Sequence, residues 1–264
     1  MVSRLKSLRR SAPPPQLPDP DPNPDDGQHA HMSFWDHLDE LRERLFKAVI
    51  ALVIGTVGGM IVAVPVLQYL QQPYGDRFIV LGPTGGVVSY FRVALMLGAI
   101  IAIPIITYQL LMFILPGLTR KETRWLMTSL PFITLLFLIG VGFAWFILIP
   151  PALGFLQNFQ PDLFVAEWTA DLYLGFVTAL LFWMGVAFET PLVFFVVALL
   201  GFIGPRALIK NWRIAIIGAA VAAAAITPTI DPVNMMLVMG PLLVLYGFSI
   251  ILVSIGRRFS NVGE

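Results

Sequence analysis

The sequence predicts an all-α integral membrane protein with six spanning helices and both termini on the cytoplasmic side. Three observations predict it. Hydrophobic residues make up 57% of the 264 positions and charged residues only 12%, with a mean hydropathy of +0.81. Soluble domains carry about 25% charged residues, so a water-soluble globule is excluded. Uncharged runs recur along the chain, each near the roughly 20 residues that a helix needs to cross a bilayer. With six crossings, 15 of the 17 lysines and arginines fall on one side, and only Arg77 and Arg92 fall opposite. Basic loops stay in the cytoplasm, so that side holds the termini.

Residues 1–32 come first. Arg4, Lys6, Arg9 and Arg10 mimic the basic start of a leader, but Pro13-Pro14-Pro15 stand where its apolar core belongs. The segment reads as a disordered, Pro/Asp-rich cytoplasmic tail. The membrane domain is placed at 33–258 and a short cytoplasmic tail at 259–264. Ser33 and Asp36 fit a capping box. Leu38, Leu41 and Leu45 share one face, and Glu40–Arg44 and Glu43–Lys47 are i,i+4 pairs in the favoured order. On pattern alone this is an interfacial amphipathic helix leading into a span.

The uncharged runs follow: Ala48–Val64, closed by Pro65; Val93–Thr119; and Trp125–Pro161, with Pro150-Pro151 marking its exit. Leu172–Pro205 carries Glu189 as its single charge; Ile214–Ile230 is broken at Thr227-Pro228, and Pro232–Gly256 is the last. The fifth run offers a helix of only about 20 Å against a hydrocarbon core of about 30 Å. The last two runs are expected to form a short pair about a tight proline turn, in tilted or thinned bilayer. The alternative is that both helices extend past the prolines.

Four acids stand out. Glu189 lies within an apolar run, where a carboxylate costs roughly 2.5–3.5 kcal/mol on insertion scales and marks function more often than packing. Pro191, two residues on, removes a backbone donor and predicts a kink beside it. Glu122 is the lone acid among Arg120, Lys121 and Arg124 in the first loop on the basic side. It reads either as a helix-start residue neutralised by its neighbours or as an acid aimed at a cationic ligand. Glu40 precedes the first span. Asp231, in Thr227-Pro228-Thr229-Ile230-Asp231-Pro232, sits in ordinary turn chemistry.

Enzyme chemistry lacks its signatures: there is no HExxH, G-x-S-x-G or P-loop motif. With no cysteine, and with His29 and His31 in the tail, no metal or cofactor site is expected. A net charge of +1 gives no pull toward nucleic acid.

In combination the motifs resemble one family. His37-Leu38-Asp39-Glu40-Leu41-Arg42-Glu43-Arg44-Leu45 is similar to its HL-x-ELR-x-RL element. Pro104-Ile105-Ile106-Thr107-Tyr108-Gln109 and Phe113-Ile114-Leu115-Pro116-Gly117-Leu118 are similar to its P-x-x-x-YQ and F-x-x-PGL segments. Phe188-Glu189-Thr190-Pro191 and the Thr227–Pro232 turn match its FE-x-P and TP-x-x-D elements. The chain thus resembles TatC, the multispanning subunit of the twin-arginine protein translocase. The resemblance implies a concave, glove-like bundle that binds Arg-Arg signal peptides at the cytoplasmic face. It implies export of folded precursors with TatA/TatB-type single-span partners, driven by the proton-motive force, and self-association in a receptor complex. Carried over residue by residue, it makes Glu40, Arg42, Phe113 and Glu122 the signal-peptide patch and Glu189 the intramembrane contact for a partner span. Pro73 becomes the outer-loop proline that shapes a cap, and Ile214–Gly247 a partner-docking edge. The proline-rich tail is longer than is usual for the family. A proton-coupled small-molecule transporter relaying through Glu189 is the competing reading, and it requires further polar groups at that depth.

Overall fold

The computed structural model describes residues 34–75, 77–114, 120–163, 165–199, 201–227, 229 and 231–260. The expected tail, 1–32, lies outside them, as does Ser33. The chain divides into two compact units, Met1–Asp39 and Glu40–Glu264. The described part of the first is the opening of a helix, with Trp35 73% exposed.

The described residues are almost wholly helical: α1 (Phe34–Gln71), α2 (Gly85–Ile114), α3 (Arg120–Phe143), a single π-turn (Ala144–Leu148), α4 (Ile149–Gln157), α5 (Ala170–Phe188), α6 (Thr190–Leu199), α7 (Pro205–Lys210), α8 (Trp212–Ile226) and α9 (Pro232–Ser260). Among the described residues, five segments are long and apolar enough to cross a membrane: Trp35–Gln71, Gly85–Ile114, Leu130–Gln157, Ala170–Ala198 and Pro232–Ile255. The fifth expected span, Ile214–Ile230, corresponds to a shorter apolar helix, Trp212–Ile226.

Three expectations are corrected. Pro65 does not close the first run, because α1 continues through it to Gln71. Pro150-Pro151 do not end the third span. Ile149 donates its N–H five residues back to Ala144, and the two prolines then occupy the first turn of α4, where no donor is needed. The widened turn accommodates prolines that would have broken an α-register. The last two spans are also not a short pair. α8 stops at Ile226 after 15 residues, while α9 runs for 29 from Pro232 and passes through Pro241.

α5 is the centre of the larger unit. Leu174, Val177, Leu180 and Met184 are at most 1% exposed, and the helix packs against α2 and α3, while α9 packs against α6, α7 and α8. Lipid tails are as apolar as leucine, so helices in a bilayer associate through close packing and polar contacts. α1 meets α2 through glycine. A Cβ at Gly55 would lie 2.5 Å from the Gly98 carbonyl oxygen, one at Gly59 2.5 Å from that of Ala94, and one at Gly98 2.4 Å from Thr56 Cα. α3 meets α5 in the same way, with Gly140 under Phe188 and Gly185 under Phe137.

The ends of the helices near the two long loops are fastened by polar bonds. Tyr74 donates to the Trp168 carbonyl at 2.6 Å, and buried Tyr173 to the Leu70 carbonyl at 2.8 Å. The Ala170 N–H reaches the Ile79 carbonyl at 2.8 Å, within a parallel bridge between Ile79 and Thr169. Arg92 Nη1 holds both the Asp171 carbonyl, at 2.6 Å, and its carboxylate, at 2.9 Å.

Candidate functional site

Pro191 has no N–H to continue the helical ladder, and the helix breaks in the turn before it. α5 ends at Phe188, Glu189 caps it with φ −77° and ψ −12°, and α6 begins at Thr190. The Glu189 carbonyl accepts from Leu192 and Val193, which restarts the helix. The predicted kink is thus a break with the acid at its corner. Glu189 is half-buried, with Thr107 of α2 beside its carboxyl. Thr107 is itself only 5% exposed, while Glu189 Oε1 is buried without a hydrogen-bond partner.

The second cluster joins α1 to α2. Arg44 Nη2 lies 3.3 Å from Glu40 Oε1, and its Nη1 donates at 3.4 Å to Gln109 Oε1. Both charged side chains are largely sheltered, at 21% and 15% exposure. A guanidinium presents a planar fork of donors, which suits it to bridging the two helices. Arg42, two positions earlier, is exposed on another face. Phe113 lies one helical turn beyond Gln109, half-buried near the end of α2. Glu122 is placed in the first turn of α3, and its side chain lies outside the described residues. The structure therefore brings Glu40, Arg44 and Gln109 together, with Phe113 on the same helix as Gln109.

The remaining predicted positions lie in turns at helix ends. Pro73 sits in the turn that ends α1, where Tyr74 and Gly75 both donate to the Gln71 carbonyl and Gly75 takes φ +91°. Asp231 caps α9: its carboxylate accepts from the Asn234 N–H at 2.7 Å and the Asn234 amide at 2.9 Å. Among the described residues no cluster of acids and histidines could hold a metal.

Sequence reasoning did not single out Thr107, Gln109 or Asn234. Two of these lie in the P-x-x-x-YQ segment, and each is a polar residue in an apolar run, the same signal that exposed Glu189.

The profile of the family described as Sec-independent protein translocase protein (TatC) matches residues 36–241. The chain belongs to the TatC family. A Sec-independent protein translocase protein TatC of Synechocystis is 39% identical over 224 residues, covering 84% of this chain and 87% of that protein. The chloroplastic TATC of Arabidopsis thaliana is 35% identical, over 84% of this chain and 66% of the relative. A crystal structure of the twin arginine translocase receptor TatC superposes with a TM-score of 0.74 at 36% identity, covering 84% of this chain and all of that one. This chain is accordingly a multi-pass membrane protein and a protein translocase component, in a family whose work is transport.

Proposed function

We propose that this chain is the receptor and core subunit of a twin-arginine translocase. It binds Arg-Arg signal peptides at the cytoplasmic face and starts export of folded proteins with TatA/TatB-type single-span partners, driven by the proton-motive force. It lies in the cytoplasmic membrane with both termini inside. Residues 33–258 form the membrane domain between a long N-terminal tail, 1–32, and a short C-terminal one, 259–264, and the chain self-associates in the receptor complex. Glu40 and Glu122 read the two arginines, Arg42 and Phe113 flank them, and Glu189 meets a partner span.

One observation carries this reading. The sheltered carboxylate of Glu40 already holds a guanidinium, that of Arg44. This is the chemistry a signal-peptide arginine would present, and charge-assisted bonds of this kind are about twice as strong as neutral ones. The test is a site-specific photocrosslink from residue 122 to a signal peptide. An Arg-Arg peptide is expected to crosslink well above a Lys-Lys peptide of the same sequence, and equal yields overturn the receptor role of Glu122.

The transporter alternative needs a relay of polar groups. The buried hydroxyls of Thr178, Thr227 and Ser249 instead bond the carbonyl one turn back on their own helices. That arrangement favours the receptor.

A further inference from the structure

Between Glu189 and Asp231 the sequence holds no Asp or Glu, but it holds Arg206, Lys210 and Arg213. All three are exposed, and among the described residues none is paired with a carboxylate. They lie between the span that ends at Ala198 and the start of the apolar helix Trp212–Ile226. α7 is fastened there. Its Leu208 is buried in one cluster with Ala198 and Val253, and Tyr246 of α9 donates to the Leu208 carbonyl at 2.7 Å. At about 100° per residue, Arg206 and Lys210 both stand within about 20° of the point opposite Leu208. A pair at i,i+4 sets its Cβ atoms about 5–6 Å apart, and two like charges so placed repel. Two uncompensated bases are thus held side by side on an anchored helix. Beside them Phe202, Ile209 and Trp212 are exposed, and the Arg213 guanidinium lies over the Trp212 ring, 5.6 Å from its centroid. Aromatic and aliphatic groups next to bases suit the headgroup layer of a bilayer.

We propose that the outward face of α7, with Arg206 and Lys210 and with Arg213 at the start of α8, binds the phosphate of an anionic phospholipid headgroup, while Phe202, Ile209 and Trp212 lie against its upper acyl carbons. The proposal goes beyond the receptor reading and rests on it only for the side of the membrane. With the termini inside, α7 meets the cytoplasmic leaflet, whose surface potential is negative. Charge complementarity chooses the occupant. Lysine and arginine offer donors alone, and a phosphodiester offers negative charge and acceptor oxygens. A lipid also brings the chains that cover the exposed apolar groups, which an acidic protein segment does not. Bases beside a span also follow from the bias that sets topology. That bias asks for charge alone; it does not require two bases opposite a buried leucine or apolar groups next to them. A bound headgroup would relieve the repulsion between Arg206 and Lys210 and tie the loop between α6 and α8 to the bilayer surface.

The full chain, purified in a non-ionic detergent, is titrated with phosphatidylglycerol and, separately, with phosphatidylcholine of the same acyl chains, and native mass spectrometry reads the bound lipid. Phosphatidylglycerol is expected to bind well above phosphatidylcholine. A base at a bilayer surface contributes about fivefold to such binding. Arg206→Gln with Lys210→Gln is therefore expected to weaken phosphatidylglycerol binding about 25-fold at low salt and to leave phosphatidylcholine unchanged. Arg206→Lys with Lys210→Arg keeps both charges and is expected to retain binding. Arg4→Gln with Lys6→Gln makes the same change in net charge elsewhere and is expected to have little effect. Melting temperatures in detergent show whether each variant folds; should the Gln pair unfold, Arg213→Gln alone, expected to weaken binding about fivefold, decides. Equal binding of the two lipids by the parent overturns the proposal, as does an equal loss in the charge-retaining pair or in the tail control. Unchanged lipid binding in the Gln pair, with loss of a co-purified protein, assigns the bases to an acidic partner and overturns it too. The chain has no cysteine, so Asn211→Cys adds a single thiol that a membrane-impermeant maleimide is expected not to reach in intact cells. Labelling from outside overturns the cytoplasmic placement and with it the receptor reading, whereas loss of lipid selectivity overturns the headgroup site alone.

Discussion

Replacing Gly98 by alanine adds one methyl group where α1 and α2 touch backbone to backbone. The new Cβ would lie 2.4 Å from Thr56 Cα and N, whereas ordinary contact begins at 3.4 Å. Backbone cannot swing aside as a side chain can, so the helices must part by about 1 Å at this point. A radial gap of about 0.5–1 Å forfeits a quarter to a half of each dispersion contact along the seam. Overpacking of this kind costs about 1–3 kcal/mol. A value of about 2 kcal/mol lowers the folded-to-unfolded ratio by about thirtyfold. Gly58→Ala is the control: it makes the same chemical change on α1, and its Cβ would find only Ile101 Cδ1, at 4.0 Å. Reversible unfolding in mixed micelles, followed by far-UV circular dichroism, compares the two. Gly98→Ala is expected to unfold at clearly lower denaturant fraction, and Gly58→Ala to match the parent or exceed it slightly. Indistinguishable curves for the two variants would refute the close approach of α1 and α2.

Tyr173→Phe removes the donor to the Leu70 carbonyl and leaves that acceptor unpaired, at a cost of about 1–3 kcal/mol; a thermal melt in detergent checks it, and no change would mean that another group satisfies Leu70. Asp231→Ala removes the α9 cap and is expected to cost about 1 kcal/mol at neutral pH. Partial burial pushes the Asp231 carboxyl's pKa up, but the hydrogen bonds at its turn, those of Asn234 among them, outweigh this and hold it below its usual value. A carboxyl depressed in the folded state contributes stability that is fully present above its unfolded pKa, about 3.9, and lost as pH falls through the folded value. The melting gap between parent and Asp231→Ala should therefore stay constant from about pH 8 to 5 and shrink below about pH 4; a gap unchanged at low pH would assign the effect to packing. Gly175→Ala would set its Cβ 2.7 Å from Arg92 Nη1 and displace that guanidinium. Because the guanidinium can move, the expected loss is under about 1 kcal/mol, and combination with Asp171→Ala should add nothing further.

Much of this was legible because hydropathy and proline act locally. The runs around Val93–Thr119 and Leu172–Pro205 could be read from composition, and the break at Glu189 from the ring of Pro191. Pro150-Pro151 misled because a proline pair ends a helix only in an α-register. One widened turn after Phe143 moves both prolines to positions where no donor is required. The run Pro232–Gly256 was legible, but pairing it with the brief stretch before Thr227-Pro228 made both helices look short, whereas α9 continues to Ser260. The Arg44–Gln109 bond could not be read at all, because it joins helices far apart in sequence. The glycines of α1 were visible as letters, but their meaning depends on Gly98 lying opposite.

The bonds that fasten α5 at its loop end also make it a lever. Arg92 grips Asp171, and Glu189 lies 18 residues along the same helix. At 1.5 Å per residue the arm is about 27 Å, so a tilt of only about 2° about the fastened end carries the carboxyl about 1 Å. That is comparable to the difference between a made and a broken hydrogen bond. A shallow rocking of α5, with its loop end still pinned, would be enough to bring the Glu189 carboxyl into or out of reach of a donor on a neighbouring helix.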